Sequence, residues 1–251
     1  MMKPIIITGR LRDSKIVTNS SNLYISAMIE KGNVVIIRGV FNSKLLLAIK
    51  NEVFSFGQEV SEANHQSAAQ VANFHRIDDN HPAMTVQRVA HFFRYSYVNS
   101  DETSIFNVIH PLNILRNDLA GLPENYTFYD DDSGYVSQPA VLHYPCGGGK
   151  MEAHVDPLEP QKVEMVCSFS ERGEDFDTGG LSIYIDKQWR DIEQYIKFGD
   201  ICMFRPDVPH RVDEIDAHKD KNFNHISGRW TVFSPIASVV DNSKNEVSVK
   251  K

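Results

Sequence analysis

Two histidines and one aspartate are the side chains of this sequence best suited to bind a metal ion. His154 and Asp156 are two positions apart, so in an extended strand their side chains project to the same face. His210 follows much later, beyond the apolar segment Asp200–Phe204 and a turn with two prolines. Two imidazoles and one carboxylate hold a divalent ion from one side and leave its other positions open to ligands. The same donor types also serve catalytic zinc, so they do not fix the metal.

The His-x-Asp pattern occurs at a second place, so it needs support from its surroundings. His218 and Asp220 lie in the stretch Asp213–Ser227, whose polar character predicts a solvated loop. His154 and Asp156 instead follow a glycine turn and precede a series of predicted strands. The sequence therefore favours the first pair as part of a site.

Short strands are predicted around these three residues, from about residue 130 onward. Each is a run of apolar and β-branched residues between turn residues. The predicted strands are Gln138–Tyr144, Lys162–Phe169, Gly180–Ile185, Asp200–Phe204 and Gly228–Phe233. Such a series is typical of an all-β sandwich or barrel with helices packed outside it.

A strand and a helix are predicted to open the fold. Asn33–Arg38 is a β-branched run that suits a buried strand. A helix capped by Asn42 or Ser43 is expected to follow and to run to about Phe56. Gly57 is expected to end this helix.

Three further segments before residue 130 give weaker signals. Pro111 at the first turn and Gly121 after the end bracket a helix at Pro111–Ala120. The polar stretch Glu59–Asn80 is compatible with helix. The aromatic segment His91–Tyr97 suits either a strand or a lid, and the sequence does not decide between them.

Composition and charge exclude several classes of protein. The 26 basic and 33 acidic residues give a net charge of −7, which disfavours a nucleic-acid-binding face. No apolar run approaches the roughly 18–20 residues needed to cross a bilayer, and the N-terminus does not resemble a secretion signal, so we expect a cytoplasmic protein. We predict a single domain, 1–251, with a support region at 1–130 and a catalytic core at 131–240.

The order of several residues resembles that of the Fe(II)/2-oxoglutarate-dependent dioxygenases, especially the branch similar to prolyl hydroxylases. The resemblance covers roughly Gln138 to Pro235. Its motifs are Tyr144, His154-x-Asp156, Gly179-Gly180-Leu181, Gly199-Asp200 with Phe204, His210-x-Val212 and Gly228-Arg229-Trp230-Thr231. The resemblance implies a mainly β fold with flanking helices, a double-stranded β-helix (jelly roll, cupin-like) whose mouth holds the metal.

The resemblance also implies roles for individual residues. Those implied to bind Fe(II) at the catalytic centre are His154, Asp156 and His210. Arg229 would bind the distal carboxylate of 2-oxoglutarate, since a guanidinium meets a carboxylate with two parallel hydrogen bonds. Thr231 shares the strand face of Arg229 and would add a further hydrogen bond. Tyr144 would hydrogen-bond the co-substrate from a neighbouring strand.

The spacing departs from the family pattern at the arginine. Arg229 follows His210 by 19 residues (229 − 210), a longer gap than the family usually has, and the polar stretch Asp213–Ser227 accounts for the excess. Arg211 is the rival anchor. On an extended chain it would point to the opposite face from His210, so we favour Arg229.

The implied activity is oxidation of an unactivated C–H bond, coupled to the conversion of 2-oxoglutarate and dioxygen into succinate and carbon dioxide. Ascorbate would be an optional supporting reductant. We expect hydroxylation, desaturation or cyclisation of a small metabolite such as an amino acid, peptide or natural product, without a nucleic-acid or membrane partner. Two alternatives stay open: a hydroxylase of protein side chains, and a non-catalytic binding protein on the same scaffold. Candidate substrate-binding walls are His91, Arg94, Tyr97 and His143.

Overall fold

The computed structural model describes residues 3–63, 73–82, 84–128 and 134–238. Strands predominate in these ranges. The α-helices are α1 (Asn22–Glu30), α2 (Ser43–Glu59) and α3 (Phe106–Ala120). The strands are β1 (Ile5–Arg12), β2 (Lys15–Thr18), β3 (Val35–Arg38), β4 (Phe74–Asp79), β5 (Arg88–Arg94), β6 (Tyr135–Ser137), β7 (Ala140–Pro145), β8 (Gly149–His154), β9 (Glu164–Ser168), β10 (Gly180–Ile185), β11 (Gln188–Asp191), β12 (Ile201–Phe204), β13 (His210–Ile215), β14 (Gly228–Phe233) and β15 (Ile236–Ser238).

One large sheet contains most of these strands. Its order is β11-β10-β13-β8-β5-β7-β14-β9-β12-β3-β1-β2, with β4 paired to β5. The described pairings are antiparallel except that of β1 with β3, which is parallel. Strands β15 and β6 form a separate pair. The sheet order places β8 next to β13, so the two strands that carry the predicted histidine ligands are neighbours.

The two faces of the central strands serve different purposes, because alternate side chains of a strand point to opposite sides. On one face, Phe93 of β5 stacks on Trp230 of β14 with ring centres 5.9 Å apart, and both belong to the main core with α2 residues. On the other face, Leu142 and Tyr144 of β7 line a cavity. The helices therefore cover one side of the sheet and leave the other for the site.

Helix α2 begins as predicted and ends later than predicted. The Asn42 side chain accepts hydrogen bonds from Lys44 N at 2.9 Å and Leu45 N at 3.4 Å, which caps the first turn. Gly57 does not end the helix, which continues to Glu59. A Cβ atom at Gly57 would lie 2.7 Å from the Phe93 ring, so this glycine permits close packing of α2 on the sheet.

Two other helix predictions need correction. Helix α3 starts at Phe106, so Pro111 lies inside it and does not mark its first turn. Gly121 ends this helix as predicted, with a left-handed φ of 72°. The stretch Glu59–Asn80 is not a continuous helix, since it contains strand β4, and residues 64–72 lie outside the described ranges.

The aromatic segment that the sequence left undecided is strand β5, followed by a 3-10 helix at Tyr97–Glu102. The proposed division of the chain at residue 130 falls outside the described residues and stays a prediction. Among the helices of the described ranges, none has the length and apolar character needed to cross a membrane.

Candidate metal centre and its cavity

Three potential metal ligands meet where β8 ends and β13 begins. His154 is the last residue of β8, His210 is the first of β13, and the two are paired in the antiparallel register. Asp156 lies two residues beyond His154, where its backbone N–H donates to the Pro206 carbonyl at 3.0 Å. One ligand atom from each side chain lies within 4.8 Å of the other two. The structure thus brings together the three residues that the sequence selects.

The two imidazoles are held in the tautomer that a metal ion requires. Nδ1 of His154 lies 2.9 Å from the Glu152 carbonyl oxygen, and Nδ1 of His210 lies 3.0 Å from the Val208 carbonyl oxygen. A carbonyl oxygen only accepts, so Nδ1 of each ring donates a proton and Nε2 faces the cluster. Contacts of this kind orient ligating histidines.

Asp156 lies close to both Nε2 atoms. Its Oδ2 is 3.2 Å from Nε2 of His210 and 3.8 Å from Nε2 of His154. Burial opposes ionisation of Asp156, but the hydrogen bond with His210 and the nearby His154 outweigh it and lower the pKa of the carboxyl group. Burial lowers the pKa of His154, whereas at His210 the contact with Asp156 outweighs burial and raises the pKa. The cluster therefore presents an ionised carboxylate beside two imidazoles.

Arg229 lies on β14 and is buried. Its Nε donates to Glu193 at 2.9 Å, and its guanidinium carbon lies 5.6 Å from the centre of the Tyr144 ring. Burial disfavours the charged form, but the Glu193 carboxylate outweighs this effect and raises the pKa of Arg229. No residue in the described ranges accepts a hydrogen bond from the two terminal nitrogens. A buried guanidinium with free donors on a cavity wall is suited to bind a carboxylate.

Tyr144 and Thr231 are the neighbours of Arg229 in the sheet. Tyr144 pairs with Arg229 between β7 and β14, and Thr231 lies two residues further along β14. The Tyr144 hydroxyl makes a weak contact of 3.9 Å with the Met151 sulfur, so it can turn toward a ligand at little cost. The Thr231 hydroxyl donates to the Cys167 carbonyl at 3.3 Å. Tyr144 is thus the better placed of the two to donate to a ligand.

The rival anchor, Arg211, lines the same cavity but has other partners. The Arg211 guanidinium lies 4.2 Å from the centre of the Trp189 ring, and its Nε lies 2.7 Å from Asp213. Both arginines have Nε beside a carboxylate, but the Arg229 side chain is 3% exposed and that of Arg211 is 35% exposed, so water competes less for the charge of Arg229. The geometry thus favours Arg229 as the anion-binding arginine.

The six predicted site residues line one cavity of about 190 Å³. Arg88 of β5 and Glu164 of β9 also line it, and sequence reasoning missed both. Glu164 accepts a hydrogen bond from Gln161 at 2.9 Å, and burial, assisted by the charge of Asp156, raises its pKa to about 8. Arg88 pairs with the buried Asp78 at 2.6 Å. A charged residue inside an otherwise apolar strand was the available signal for Glu164.

The residues considered as substrate-binding walls lie away from this cavity. His91 and His143 point to the helix side of the sheet, where the His143 ring stacks on Trp230 with centres 4.1 Å apart. Tyr97 packs among the aromatic residues around α3. Arg94 lies with its guanidinium 5.9 Å from the Phe74 ring centre. The expectation that these four form the substrate wall is not supported by the structure.

Comparison with known proteins gives matches in structure alone. No family model matches the sequence, and no curated protein matches it. A prolyl-4-hydroxylase from Pseudomonas putida superposes with a TM-score of 0.54 at 13% identity, over 85% of this chain and 97% of the other. A prolyl hydroxylase from Trichoplax adhaerens, in complex with a hypoxia inducible factor peptide, gives 0.53 at 16% identity, over 88% and 93%. A Shewanella oneidensis protein described as an oxygenase gives 0.54 at 14%, over 92% and 89%.

The chain has the prolyl-hydroxylase fold. The predicted fold class, a mainly β jelly roll with flanking helices, is therefore confirmed. These structures are 13–16% identical in sequence to this chain, so the likeness extends to the fold alone. The roles of individual residues depend on the geometry of the cluster and cavity.

Proposed function

We propose that the protein is an Fe(II)- and 2-oxoglutarate-dependent dioxygenase that oxidises an unactivated C–H bond of a small metabolite. The observation that carries this proposal is that His154, Asp156 and His210 lie together and line the same cavity as Arg229. The prolyl-hydroxylase fold is consistent with it. The cytoplasmic location and the absence of nucleic-acid and membrane partners stay predictions.

The donor set of the cluster fits a ferrous ion. Two imidazoles and one carboxylate, all on one side, are the ligands of non-haem Fe(II) oxygenases. The Asp156 side chain is 37% exposed and all three residues line the cavity, so a further ligand can approach the cluster from the cavity. When bound, Fe(II) would supply the activation of dioxygen and the oxidative decarboxylation of 2-oxoglutarate. The part of the chain is to hold the ion and to orient its partners.

Arg229 and Tyr144 fit the co-substrate. The two terminal nitrogens of Arg229 are available to one carboxylate, which would form charge-assisted hydrogen bonds in a buried, water-poor setting. The Tyr144 hydroxyl faces the same cavity and can donate from the neighbouring strand. A dicarboxylate that binds the ion at one end and Arg229 at the other accounts for both groups.

The cavity size favours a small substrate. About 190 Å³ lies below the roughly 300–1,000 Å³ that is usual for small-molecule sites, and the co-substrate must share this space. A peptidyl hydroxylase is the second candidate, and the Trichoplax adhaerens structure, which holds a peptide, favours it. The two substrate classes are distinguished by whether free amino acids or prolyl peptides stimulate turnover.

The test is succinate release from 2-oxoglutarate in the presence of Fe(II), ascorbate and dioxygen. We expect slow release from the wild type and none from His154→Ala. His218→Ala is the matched control, because His218 belongs to the other His-x-Asp pair and is exposed on the surface. It should release succinate at the wild-type rate. No succinate from the wild type, with amino acids and peptides as added substrates, would favour a non-catalytic binding protein.

A further inference from the structure

The Gly179-Gly180-Leu181 motif supplies none of the three candidate metal ligands, although its Leu181 lines the cavity. Gly180 has a positive φ of 115°, and a Cβ atom there would lie 2.3 Å from Cγ of Glu193. The Glu193 side chain therefore occupies the space that any other residue at position 180 would fill. Leu181 N–H donates to Oε2 of Glu193 at 2.7 Å. The motif thus leaves space for the buried Glu193 side chain and donates one backbone hydrogen bond to its carboxylate.

The same oxygen of Glu193 also accepts from Arg229. Nε of Arg229 lies 2.9 Å from Oε2, so Leu181 N–H and Arg229 share a single acceptor atom. Both side chains are nearly inaccessible, with 1% of Glu193 and 3% of Arg229 exposed. Glu193 lies in the short 3-10 helix Glu193–Tyr195 after β11, far in sequence from β14.

This contact determines how the guanidinium is oriented. A hydrogen bond at Nε fixes the plane of the planar guanidinium group and leaves its terminal nitrogens available to a ligand in the cavity that Arg229 lines. Without Glu193, the buried arginine would lose the group that holds it, and its terminal nitrogens would be free to turn away from the co-substrate. The Gly179-Gly180-Leu181 motif thus holds Glu193, and Glu193 in turn holds Arg229.

We infer that Glu193 is a positioning residue for co-substrate binding, which acts by holding Nε of Arg229 through Oε2. This inference rests on the proposed function, because it takes 2-oxoglutarate as the ligand of Arg229. The positioning role is geometric, because it requires an acceptor oxygen at the distance of Oε2. The negative charge of Glu193 has a separate part, which is to offset the burial of the guanidinium.

Three substitutions separate geometry from charge. Glu193→Gln keeps an acceptor oxygen at the same reach and removes the charge, since both hydrogen bonds use one oxygen. Glu193→Asp keeps the charge and shortens the reach by one methylene. Glu193→Ala removes both. Asp200→Asn is the matched control, because Asp200 is an equally buried carboxylate that pairs with Arg38 and does not line the cavity.

The first readout is the dissociation constant of 2-oxoglutarate, measured by calorimetry on protein loaded with Mn(II). We expect Glu193→Ala and Glu193→Asp to weaken binding about tenfold or more, the effect of a lost charge-assisted hydrogen bond. The dissociation constants of Glu193→Gln and Asp200→Asn should stay within about threefold of the wild-type value. This change is well below the effect of losing one charge-assisted hydrogen bond. Wild-type affinity in Glu193→Asp, or a loss in Glu193→Gln equal to that in Glu193→Ala, would overturn the inference.

The second readout does not need the co-substrate. The Nε–H resonance of Arg229 in the ligand-free protein should exchange slowly with water in the wild type and Glu193→Gln, and rapidly in Glu193→Asp and Glu193→Ala. This pattern, together with a wild type that binds no 2-oxoglutarate, would mean that the proposed function fails while the positioning contact stands. Equal exchange rates in all four proteins would mean that the positioning contact itself fails.

Discussion

Two pairs of histidines lie on the central strands, and they have opposite environments. His154 and His210 have ring centres 4.3 Å apart, and the Nε2 atom of each lies close to Asp156. His91 and His143 are buried under aromatic rings, and burial lowers the pKa of each to about 3. Nε2 of His143 donates to the Ser227 carbonyl at 2.8 Å. One pair can bind a cation and the other pair is built to stay neutral.

The two histidine pairs differ in the strand face on which they lie, and burial does not account for the difference. His210 is 7% exposed and His143 is fully buried, so both count as interior residues. His143 and Tyr144 are consecutive on β7, yet Tyr144 faces the cavity and His143 faces Trp230, because consecutive side chains alternate. In this chain the histidine pair beside a carboxylate is the candidate ligand pair, and His143, stacked on Trp230, is a packing residue.

The largest expected effect comes from removing a ligand of the cluster. His210→Ala should weaken Mn(II) binding by more than about 100-fold, since even partners that merely orient a ligand contribute 10–100-fold. His143→Gln should bind Mn(II) with wild-type affinity. Titration followed by electron paramagnetic resonance measures both. Equal loss in the two variants would remove the distinction between the two histidine pairs.

The second effect concerns the two arginines near the cavity. Arg229→Ala should weaken 2-oxoglutarate binding by roughly 10- to 150-fold, the equivalent of about 1.5–3 kcal/mol for hydrogen bonds to a charged group. Arg211→Ala should have a small effect, because Arg211 stacks on Trp189 and pairs with Asp213. Calorimetry on the Mn(II)-loaded proteins measures both. A larger effect at Arg211 would transfer the anchor to that residue.

The third effect is a pH dependence of stability. Because burial lowers the pKa of His91 and His143 to about 3, the unfolded chain binds more protons than the folded one between that pH and about 6.5. The free energy of unfolding therefore falls as the pH falls through this window. His143→Gln keeps an N–H donor for Ser227 and should reduce the slope by up to about 1.4 kcal/mol per pH unit.

Urea unfolding of the wild type and His143→Gln at pH 7, 6 and 5 measures this slope. The carboxyl groups titrate equally in both proteins, so the difference between the slopes isolates the histidine. Identical slopes would show that His143 is not held neutral by its surroundings.

The smallest effects concern hydroxyl groups on the cavity wall. Tyr144→Phe should raise the dissociation constant of 2-oxoglutarate a few-fold, about 0.5–1.5 kcal/mol for a neutral hydrogen bond. Thr231→Val should change it less, because the Thr231 hydroxyl is bonded to the Cys167 carbonyl. The same calorimetric titration ranks them, and a larger effect at Thr231 would contradict the assignment of the donor to Tyr144.

The sequence was sufficient to predict the three candidate metal ligands that the structure brings together and most of the core strands. His154 and Asp156 were two positions apart beside a glycine turn, and the strands Gly180–Ile185 and Gly228–Phe233 have the predicted bounds. Local patterns suffice for such features, because strand periodicity and turn residues are local.

Other features depend on contacts between distant segments and gave no local signal. By its local sequence Gly57 predicts a helix end, but its small size is needed where Phe93 of β5 approaches α2. Glu193 and Arg88 reach the site through sheet order and long-range pairing, which one sequence does not reveal. Pro111 predicts a helix start at its own position, although α3 begins five residues earlier, at Phe106.

A crystal structure of the protein with Mn(II) tests the central claim most directly. We predict one ion within about 2.0–2.3 Å of His154 Nε2, His210 Nε2 and an Asp156 carboxylate oxygen, the range of first-row metal–ligand distances. The remaining positions of this ion should face the cavity that Arg229 lines. A cluster that stays empty at saturating Mn(II), or an ion bound by other side chains, would contradict the account.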